Sequence, residues 1–371
     1  MSQTMKRLRV LIALVLLGLV IGEAIRSKTI QAQEGFPTPA KMPTATATVI
    51  LETTTPTQPP KTRILFTGDI NLGRCIAKKT IISNGQTNTY NYPFEFVAEE
   101  LREADITVGS LDGSLSDESS PMPCPKSMNL IAPTRMAEGL QFAGFDVVSI
   151  ATNHIKDCGE KGFECDNKAL LDTILQLKKA EIEPTGAGNT LEESRLPAVV
   201  EQNGIRFAFL GIDQIDKRVW ASENIPGTAP LSEAHIEKIK AEIVSARQIA
   251  DVVIVLPHWG IEHDTTPQDL QRVWAQEFVN AGASLVIGNH PHIIQPMEIF
   301  SDKLIFYSLG NFVFDQGEDF QRESIVVEVN FIGAEIESWR LHPVKINYYT
   351  YQPDWADDTE SGYILARAEE K

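Results

Sequence analysis

Side chains that can bind metal ions recur at the ends of apolar, strand-like runs in this 371-residue sequence. In an open α/β sheet, ligands bind beyond the carboxyl ends of the strands, so residues far apart in the sequence can meet there. Imidazole nitrogens together with carboxylate and amide oxygens favour Zn, Mn or Fe over Ca. We therefore predict a metal site formed by Asp69, Asp112, Asn153, His258, His290 and His292.

The most specific signal is the pair His290 and His292, because two imidazoles with one residue between them after a strand lie close together. Asn153 offers an amide oxygen at the end of another apolar run. His154, beside it, is predicted to stay off the metal and to act as a proton donor.

Other roles stay open for several residues. Asp69 and Asp112 also fit turn or helix-capping carboxylates, and His258 also fits a hydrogen-bonded structural histidine. Asn311, in a Gly-Asn turn, either orients a ligating histidine, contacts substrate or satisfies the backbone of its loop. For Glu262 and His263, plain exposure is favoured over a place in the wall of the pocket.

The spacing of apolar residues predicts alternating strands and helices, which must position these side chains. Strands are predicted at 63–67, 146–151, 206–211, 252–256, 284–287 and 304–308. Apolar residues at three-four spacing predict helices around 170–177, 236–250 and 270–281. Strands separated by helices imply right-handed crossovers and a layered α/β domain.

In the C-terminal part, the sequence pattern changes from alternating strands and helices to two neighbouring strands. Residues 325–331 and 336–341 alternate in polarity around Gly333, which predicts an antiparallel hairpin. We expect one folded domain at 62–350, followed by a solvated, frayed acidic tail at 351–371.

The N-terminal part indicates export. A basic stretch precedes the apolar run 10–21, which predicts a signal peptide or N-terminal signal anchor at 1–26. Residues 27–61 are rich in Thr and Pro and predict an extended linker. We therefore expect an extracytoplasmic protein, either secreted or anchored to the membrane.

Four cysteines follow this signal, and their spacing matches no zinc-ribbon pattern. An even number in an exported chain favours disulfides, with three possible pairings. We predict Cys158–Cys165 because that pair is local, which leaves Cys75–Cys124.

The charge limits the partners. The net charge of -17 argues against a nucleic-acid partner, because such proteins carry clustered Lys and Arg. With 43% hydrophobic residues, the chain can bury a full core.

With these motifs assembled, the sequence resembles the bacterial CapA family of capsule and poly-γ-glutamate biosynthesis, a branch of the calcineurin-like metallophosphoesterase superfamily. The resemblance implies a four-layer α/β/β/α single domain that ends in antiparallel strands. It is carried by six motifs in order: 68–74, 146–154, 186–188, 258–260, 288–292 and 307–312.

By this resemblance the six predicted ligands hold two divalent ions, with Asp112 between them, and His154 protonates the leaving group. Arg74 and Asn311 contact substrate or support the ligands. The sequence departs from the pattern twice. Ser110-Leu111-Asp112 stands where the family has Asn-Leu-Glu. Asn71 stands where the superfamily has a metal-binding histidine, and we expect its amide oxygen to be a weaker ligand in that place.

The implied function is metal-dependent hydrolysis or transfer at a phosphoester or amide of an anionic surface polymer. Membrane-bound components of capsule synthesis are the expected partners. The alternative is a non-catalytic, membrane-tethered subunit that uses the same pocket to hold the polymer.

Overall fold

The computed structural model describes residues 59–87, 89–118, 124, 128–159 and 165–369. The predicted signal or anchor at 1–26, and the linker up to residue 58, lie outside these residues. Within the described ranges, no helix has both the length and the apolar character needed to cross a membrane.

The secondary structure alternates as the sequence predicted. The described strands are β1 Lys61–Ile70, β2 Ile106–Leu111, β3 Ser114–Leu115, β4 Ile131–Ala132, β5 Val147–Ser149, β6 Glu183–Thr185, β7 Ala187–Gly188, β8 Ala198–Gln202, β9 Ile205–Asp213, β10 Gly227–Thr228, β11 Val252–His258, β12 Leu285–Ile287, β13 Ile294–Phe300, β14 Lys303–Leu309, β15 Asn311–Val313, β16 Glu323–Ile332, β17 Glu335–Ile346 and β18 Pro353–Trp355. The described helices are α1 Arg74–Thr87, α2 Ala98–Arg102, α3 Ala137–Ala143, α4 Lys168–Lys179, α5 Leu191–Ser194, α6 Ile236–Ala246, α7 Asp269–Asn280 and α8 Asp358–Ala368.

Two large sheets form the framework. The first has the order β18-β17-β16-β1-β2-β5-β6, and β15 also pairs with β1. The second has the order β13-β14-β12-β11-β9-β8. Strands β1, β2, β5 and β6 run parallel in the first sheet, and β9, β11, β12 and β14 run parallel in the second. The six predicted strands and the C-terminal hairpin are confirmed.

Buried side chains join the sheets into layers. One core lies between the two sheets and includes Phe66, Phe209 and Phe306. A second core packs the first sheet against α2, α3 and α4, and a third packs the second sheet against α6 and α7. The four-layer α/β/β/α arrangement is confirmed. Within α7, Trp274 and Phe278 are buried as expected, whereas Leu270 is 41% exposed.

The C-terminal tail is the main correction. Residues 351–371 were expected to be solvated and frayed, but β18 pairs with β17, and α8 packs against β13, β16 and β17. Ile364 and Ala368, four residues apart on α8, are fully or almost fully buried between the sheets. Asp357 caps the helix by accepting from the backbone N–H of Thr359 and Glu360. The acidic segment therefore forms an amphipathic helix with a small buried face.

The end of β1 is shaped by a close backbone approach. A Cβ at position 68 would lie 2.0 Å from the Gly310 carbonyl oxygen, so only glycine fits there. The Asp69 N–H donates to that carbonyl, and the pairing of β1 with β2 shifts between Phe66 and Asp69. Asp69 thus lies at a bulge within the strand rather than in a turn after it.

Candidate metal centre

The carboxyl ends of strands from both sheets bring the six predicted ligands together. In the first sheet, Asp69 lies near the end of β1, Asp112 directly follows β2, and Asn153 follows β5. In the second sheet, His258 ends β11, and the pair His290–His292 follows β12. All of these residues except Asn153 are buried.

Four side chains form the first group of donor atoms, here called the four-donor group. His258 Nε2 lies 3.0 Å from Asn153 Oδ1, 3.2 Å from His290 Nδ1 and 3.7 Å from Asp112 Oδ1. Two atoms bound to one cation at about 2.1 Å stand roughly 3 to 4 Å apart at ordinary coordination angles. The observed separations fall in this range.

Three side chains form the second group, here called the three-donor group. His292 Nε2 lies 3.7 Å from Asp112 Oδ2, and His292 Nδ1 lies 3.6 Å from Asp69 Oδ2. The two oxygens of Asp112 therefore face different groups. This is the arrangement that a carboxylate shared between two cations requires.

One unpartnered buried atom belongs to the carboxylate that faces both groups. Asp112 Oδ2 is buried and makes no hydrogen bond within the described residues. Leaving such an atom unpaired costs about 1–3 kcal/mol, which a cation would offset. Within the described ranges, no group of three His, Cys, Asp or Glu side chains has the spacing of a formed metal site.

Burial sets the protonation of these side chains. Burial, with the charge of Asp112, raises the pKa of Asp69 well above its usual value. Burial, with neighbouring imidazoles, lowers the pKa of His258 and His290 well below the usual range, and burial also lowers the pKa of His292. Neutral imidazole is the form that binds metal.

His154 lies apart from both groups. Its Nδ1 donates to Asp157 Oδ2 at 2.7 Å, and the same carboxylate oxygen accepts from the Leu130 N–H. Burial alone would lower its pKa, but the charges of Asp112 and Asp157 and the Asp157 hydrogen bond raise it to about 9. Sequence reasoning missed Asp157, although its position three residues after His154 was a usable signal.

Asn311 fixes the orientation of one predicted ligand. Its Oδ1 accepts from His292 Nδ1 at 2.9 Å, and its Nδ2 donates to the His292 carbonyl at 3.2 Å. This hydrogen bond leaves His292 Nε2 facing Asp112. Of the three roles open from the sequence, the geometry supports two: Asn311 orients the His292 ring, and its Nδ2 satisfies the backbone carbonyls of His292 and Gln321.

Asn71 and Arg74 both contact Asp315. Asn71 Oδ1 accepts from the Gly73 N–H, and its Nδ2 donates to Asp315 Oδ1. Arg74 forms a buried ion pair with Asp315, which also accepts from the Cys75 N–H. The contacts of Asn71 thus lie in its own turn and with Asp315, a residue that sequence reasoning missed. Neither donor group includes Asn71.

A cavity of about 400 Å³, here called the mouth, reaches the three-donor group at His292. Its walls include Arg74, Leu130, His154, Glu262, His292 and Gln321. His154 and His292 therefore face one space. A small molecule or one unit of a chain could reach both side chains there.

Both predicted disulfides are present. Cys75 pairs with Cys124, and Cys158 pairs with Cys165. The first begins at the second residue of α1, and the second closes the loop that follows His154. Each bridge therefore fixes a segment that borders the mouth.

The two stacked sheets between helical layers, with the six candidate ligands at the strand ends, define a layered α/β protein. Residues 63–316 match the model of the family described as bacterial capsule synthesis protein PGA_cap. The chain belongs to this family.

Two relatives from Bacillus are also capsule or PGA biosynthesis proteins. The PGA biosynthesis protein CapA of Bacillus subtilis strain 168 is 30% identical over 302 residues, which cover 81% of this chain and 76% of the relative. The capsule biosynthesis protein CapA of Bacillus anthracis is 32% identical over 272 residues, or 72% of this chain and 63% of the relative. Among solved structures, a putative 5'-nucleotidase from Staphylococcus aureus is 14% identical with a TM-score of 0.43, covering 82% of this chain and 58% of that one.

Proposed function

We propose that this protein is a metal-dependent hydrolase or transferase that acts on a phosphoester or amide of an anionic surface polymer such as poly-γ-glutamate. The observation that carries the proposal is the placement of Asp112, whose two oxygens face two separate groups of buried donor atoms. The four-donor group would hold one divalent ion, and the three-donor group would hold another. Mn, Zn or Fe fits this set of nitrogen and oxygen ligands.

Bound divalent ions at such a site lower the pKa of water and polarise a carbonyl or phosphoryl oxygen. The chain's own residues supply the rest. His154 faces the mouth and would donate a proton to the leaving ester oxygen or amide nitrogen. Asp157 holds the His154 ring in position through Nδ1, so that Nε2 is the atom that carries this proton.

The surrounding side chains would orient the substrate. Arg74 lines the mouth, and its guanidinium is held by the buried Asp315 carboxylate. A guanidinium carries five N–H donors and suits a phosphate or carboxylate oxygen. Burial of the ligands limits water at the reacting bond, which strengthens each charge interaction there.

The setting of this activity is also proposed. Two disulfides are typical of proteins outside the cytoplasm, where surface polymers are completed. A signal peptide or anchor at residues 1–26 would deliver the domain there. The partners would be components of the capsule synthesis machinery, as the names of the relatives suggest.

The test is turnover by metal-free protein to which Mn, Zn or Fe is returned separately. A chromogenic phosphoester and a chromogenic γ-glutamyl amide represent the two bond classes. We expect one of them to be cleaved only after metal is restored. His258→Ala should abolish this activity, whereas His342→Gln, on β17 and paired with Glu328, should not.

The rival function is a non-catalytic subunit that holds polymer at the same pocket. It predicts metal-dependent binding of the polymer with no turnover of either bond class. That result, with intact and fully metal-loaded protein, would contradict the enzyme proposal.

A further inference from the structure

A second cavity lies beside the mouth. This side cavity has a volume of about 600 Å³. Its walls include His263, Ile293, Ile294, Phe320, Tyr363 and Arg367. Tyr363 and Arg367 come from α8, the helix that sequence reasoning took for a frayed tail.

A wall one residue thick divides the two cavities. In three pairs of neighbouring residues, one residue lines the mouth and the next lines the side cavity. The residues that line the mouth are Glu262, His292 and Gln321, and their neighbours in the side cavity are His263, Ile293 and Phe320. The mouth residue His292 is a predicted metal ligand. The side cavity therefore begins directly behind the three-donor group.

A hydrogen bond closes this wall. Gln321 Nε2 donates to His263 Nε2 at 2.7 Å, and the His263 ring centroid lies 6.4 Å from that of His292. His263 has a φ of 63°, an unfavourable conformation for a residue with a side chain, and its N–H donates to the Pro291 carbonyl. His263 is exposed, as predicted from the sequence, and it also forms part of the boundary between the two cavities.

The side cavity combines apolar walls with one arginine, Arg367. Ile294, Phe320 and Tyr363 supply apolar and aromatic surface, and Tyr363 is 72% exposed, so it contributes little to the core. The Arg367 side chain is 44% exposed, and its Nε contacts Glu323 at 2.5 Å. Phe320, Tyr363 and Arg367 lie beyond residue 316, where the family match ends. These three residues are therefore a feature of this chain outside the matched region.

We infer that the side cavity is a subsite for further units of a chain substrate whose reacting bond lies at the donor groups. The chain would run from the mouth to the side cavity over the solvent-facing side of the wall, past the exposed His263. A γ-linked glutamyl chain fits both surfaces, because its methylene groups can pack on Phe320 and Tyr363 and its carboxylates can pair with Arg367. This inference rests on the proposed function and narrows its substrate from a phosphoester or amide of an anionic polymer to a γ-linked polyamide that is bound over several units.

Binding of γ-linked glutamate oligomers to the metal-free, disulfide-intact protein tests the inference without relying on turnover. We expect a hexamer to bind more tightly than a dimer. Tyr363→Ala and Arg367→Gln should each weaken hexamer binding about tenfold and leave dimer binding unchanged. Tyr349→Ala and Arg340→Gln, at exposed positions that do not line either cavity, serve as matched controls.

Three results would overturn the inference: equal binding of dimer and hexamer, no binding of either, or unchanged hexamer binding in both cavity variants. Arg367→Gln also breaks the contact with Glu323, so Tyr363→Ala separates lost binding from lost folding. Length-dependent binding without metal-dependent turnover would contradict the proposed function alone. Turnover without length dependence would contradict the subsite alone.

Discussion

The two donor groups share Asp112 but differ in how many side chains they bring to it. The four-donor group adds an amide oxygen and two imidazoles, with the closest pair 3.0 Å apart. The three-donor group adds His292, whose Nε2 lies 3.7 Å from Asp112 Oδ2, and Asp69, whose Oδ2 lies 3.6 Å from the other nitrogen of the His292 ring. The superfamily pattern would complete the second group with a histidine where this chain has Asn71.

This difference indicates two sites of unequal strength. Asn71 uses its oxygen on the Gly73 N–H, so it does not replace the missing imidazole. Three protein ligands and a water are still a common catalytic site. We therefore expect the three-donor group to bind metal more weakly and to remain open to substrate from the mouth.

The largest effect should come from removing the shared carboxylate. Asp112→Asn keeps the shape of the side chain but removes the charge that both groups use, so both ions should be lost. The metal-dependent rate should fall by about 10³-fold or more, since the ions supply several kcal/mol of stabilisation. Metal analysis of the purified variant checks the loss. Asp354→Asn, at an exposed position on β18, is the control, and a variant that loses only one ion would contradict a shared role.

Removing the proton donor should lower the rate but spare both groups. His154→Ala should lose about 10² to 10⁴-fold in rate with unchanged metal content. Asp157→Asn should cause a smaller loss, because it weakens the orientation of the ring without removing it. Rate and metal content are measured on the same samples. If metal is lost with His154, the residue is a ligand, and the four-donor group has been assigned wrongly.

Asn311 distinguishes the two groups. Asn311→Ala should weaken metal binding in the three-donor group by about 10- to 100-fold, the usual cost of losing the partner of a ligating histidine. The four-donor group should be unaffected. Asn311→Asp keeps an acceptor for His292 Nδ1 and should recover part of the affinity. Equal weakening at both groups, seen by calorimetric titration, would show that Asn311 acts on the whole site.

The smallest effect is the pH dependence of stability that Asp213 causes, at the strand end beside the four-donor group. Asp213, in register with His258, is buried, and burial raises its pKa to about 7. The folded protein therefore holds the proton more tightly than the unfolded chain, so the free energy of unfolding should fall as pH rises from about 4 to about 7. The slope is at most about 1.4 kcal/mol per pH unit.

Asp213→Asn should flatten this part of the profile, because the amide does not titrate. Its oxygen can still accept from the Ile215 N–H, and its nitrogen can donate to Thr228. Chemical unfolding of metal-free protein across this pH range provides the measurement. A profile as steep as that of the wild type would exclude Asp213 as the titrating group.

The sequence could predict which side chains meet at the strand ends because several of them follow a local signal. Asn153, His258 and the pair His290–His292 each end or follow a β-branched run, and strands of that kind meet at their carboxyl ends. The same local signals predicted the six central strands, the C-terminal hairpin and the helices α4, α6 and α7. Local patterns therefore suffice where residue type and strand position coincide.

The rest depends on contacts between distant segments. Arg74 and Asp315 are 241 residues apart, and no pattern near either residue reveals the pair. The side cavity requires α8, whose buried face consists of Ile364 and Ala368 within an acidic sequence. The average composition does not reveal such a face, which is defined only by the packing of α8 against β13, β16 and β17.

Metal titration of the metal-free protein tests the central claim of two unequal sites most directly. Calorimetry with Mn or Zn should show one tight and one weak step, each of one ion per chain. Asn71→His should strengthen only the weak step, because it offers the imidazole that the three-donor group lacks. Two equal steps, or the absence of any binding, would contradict the account.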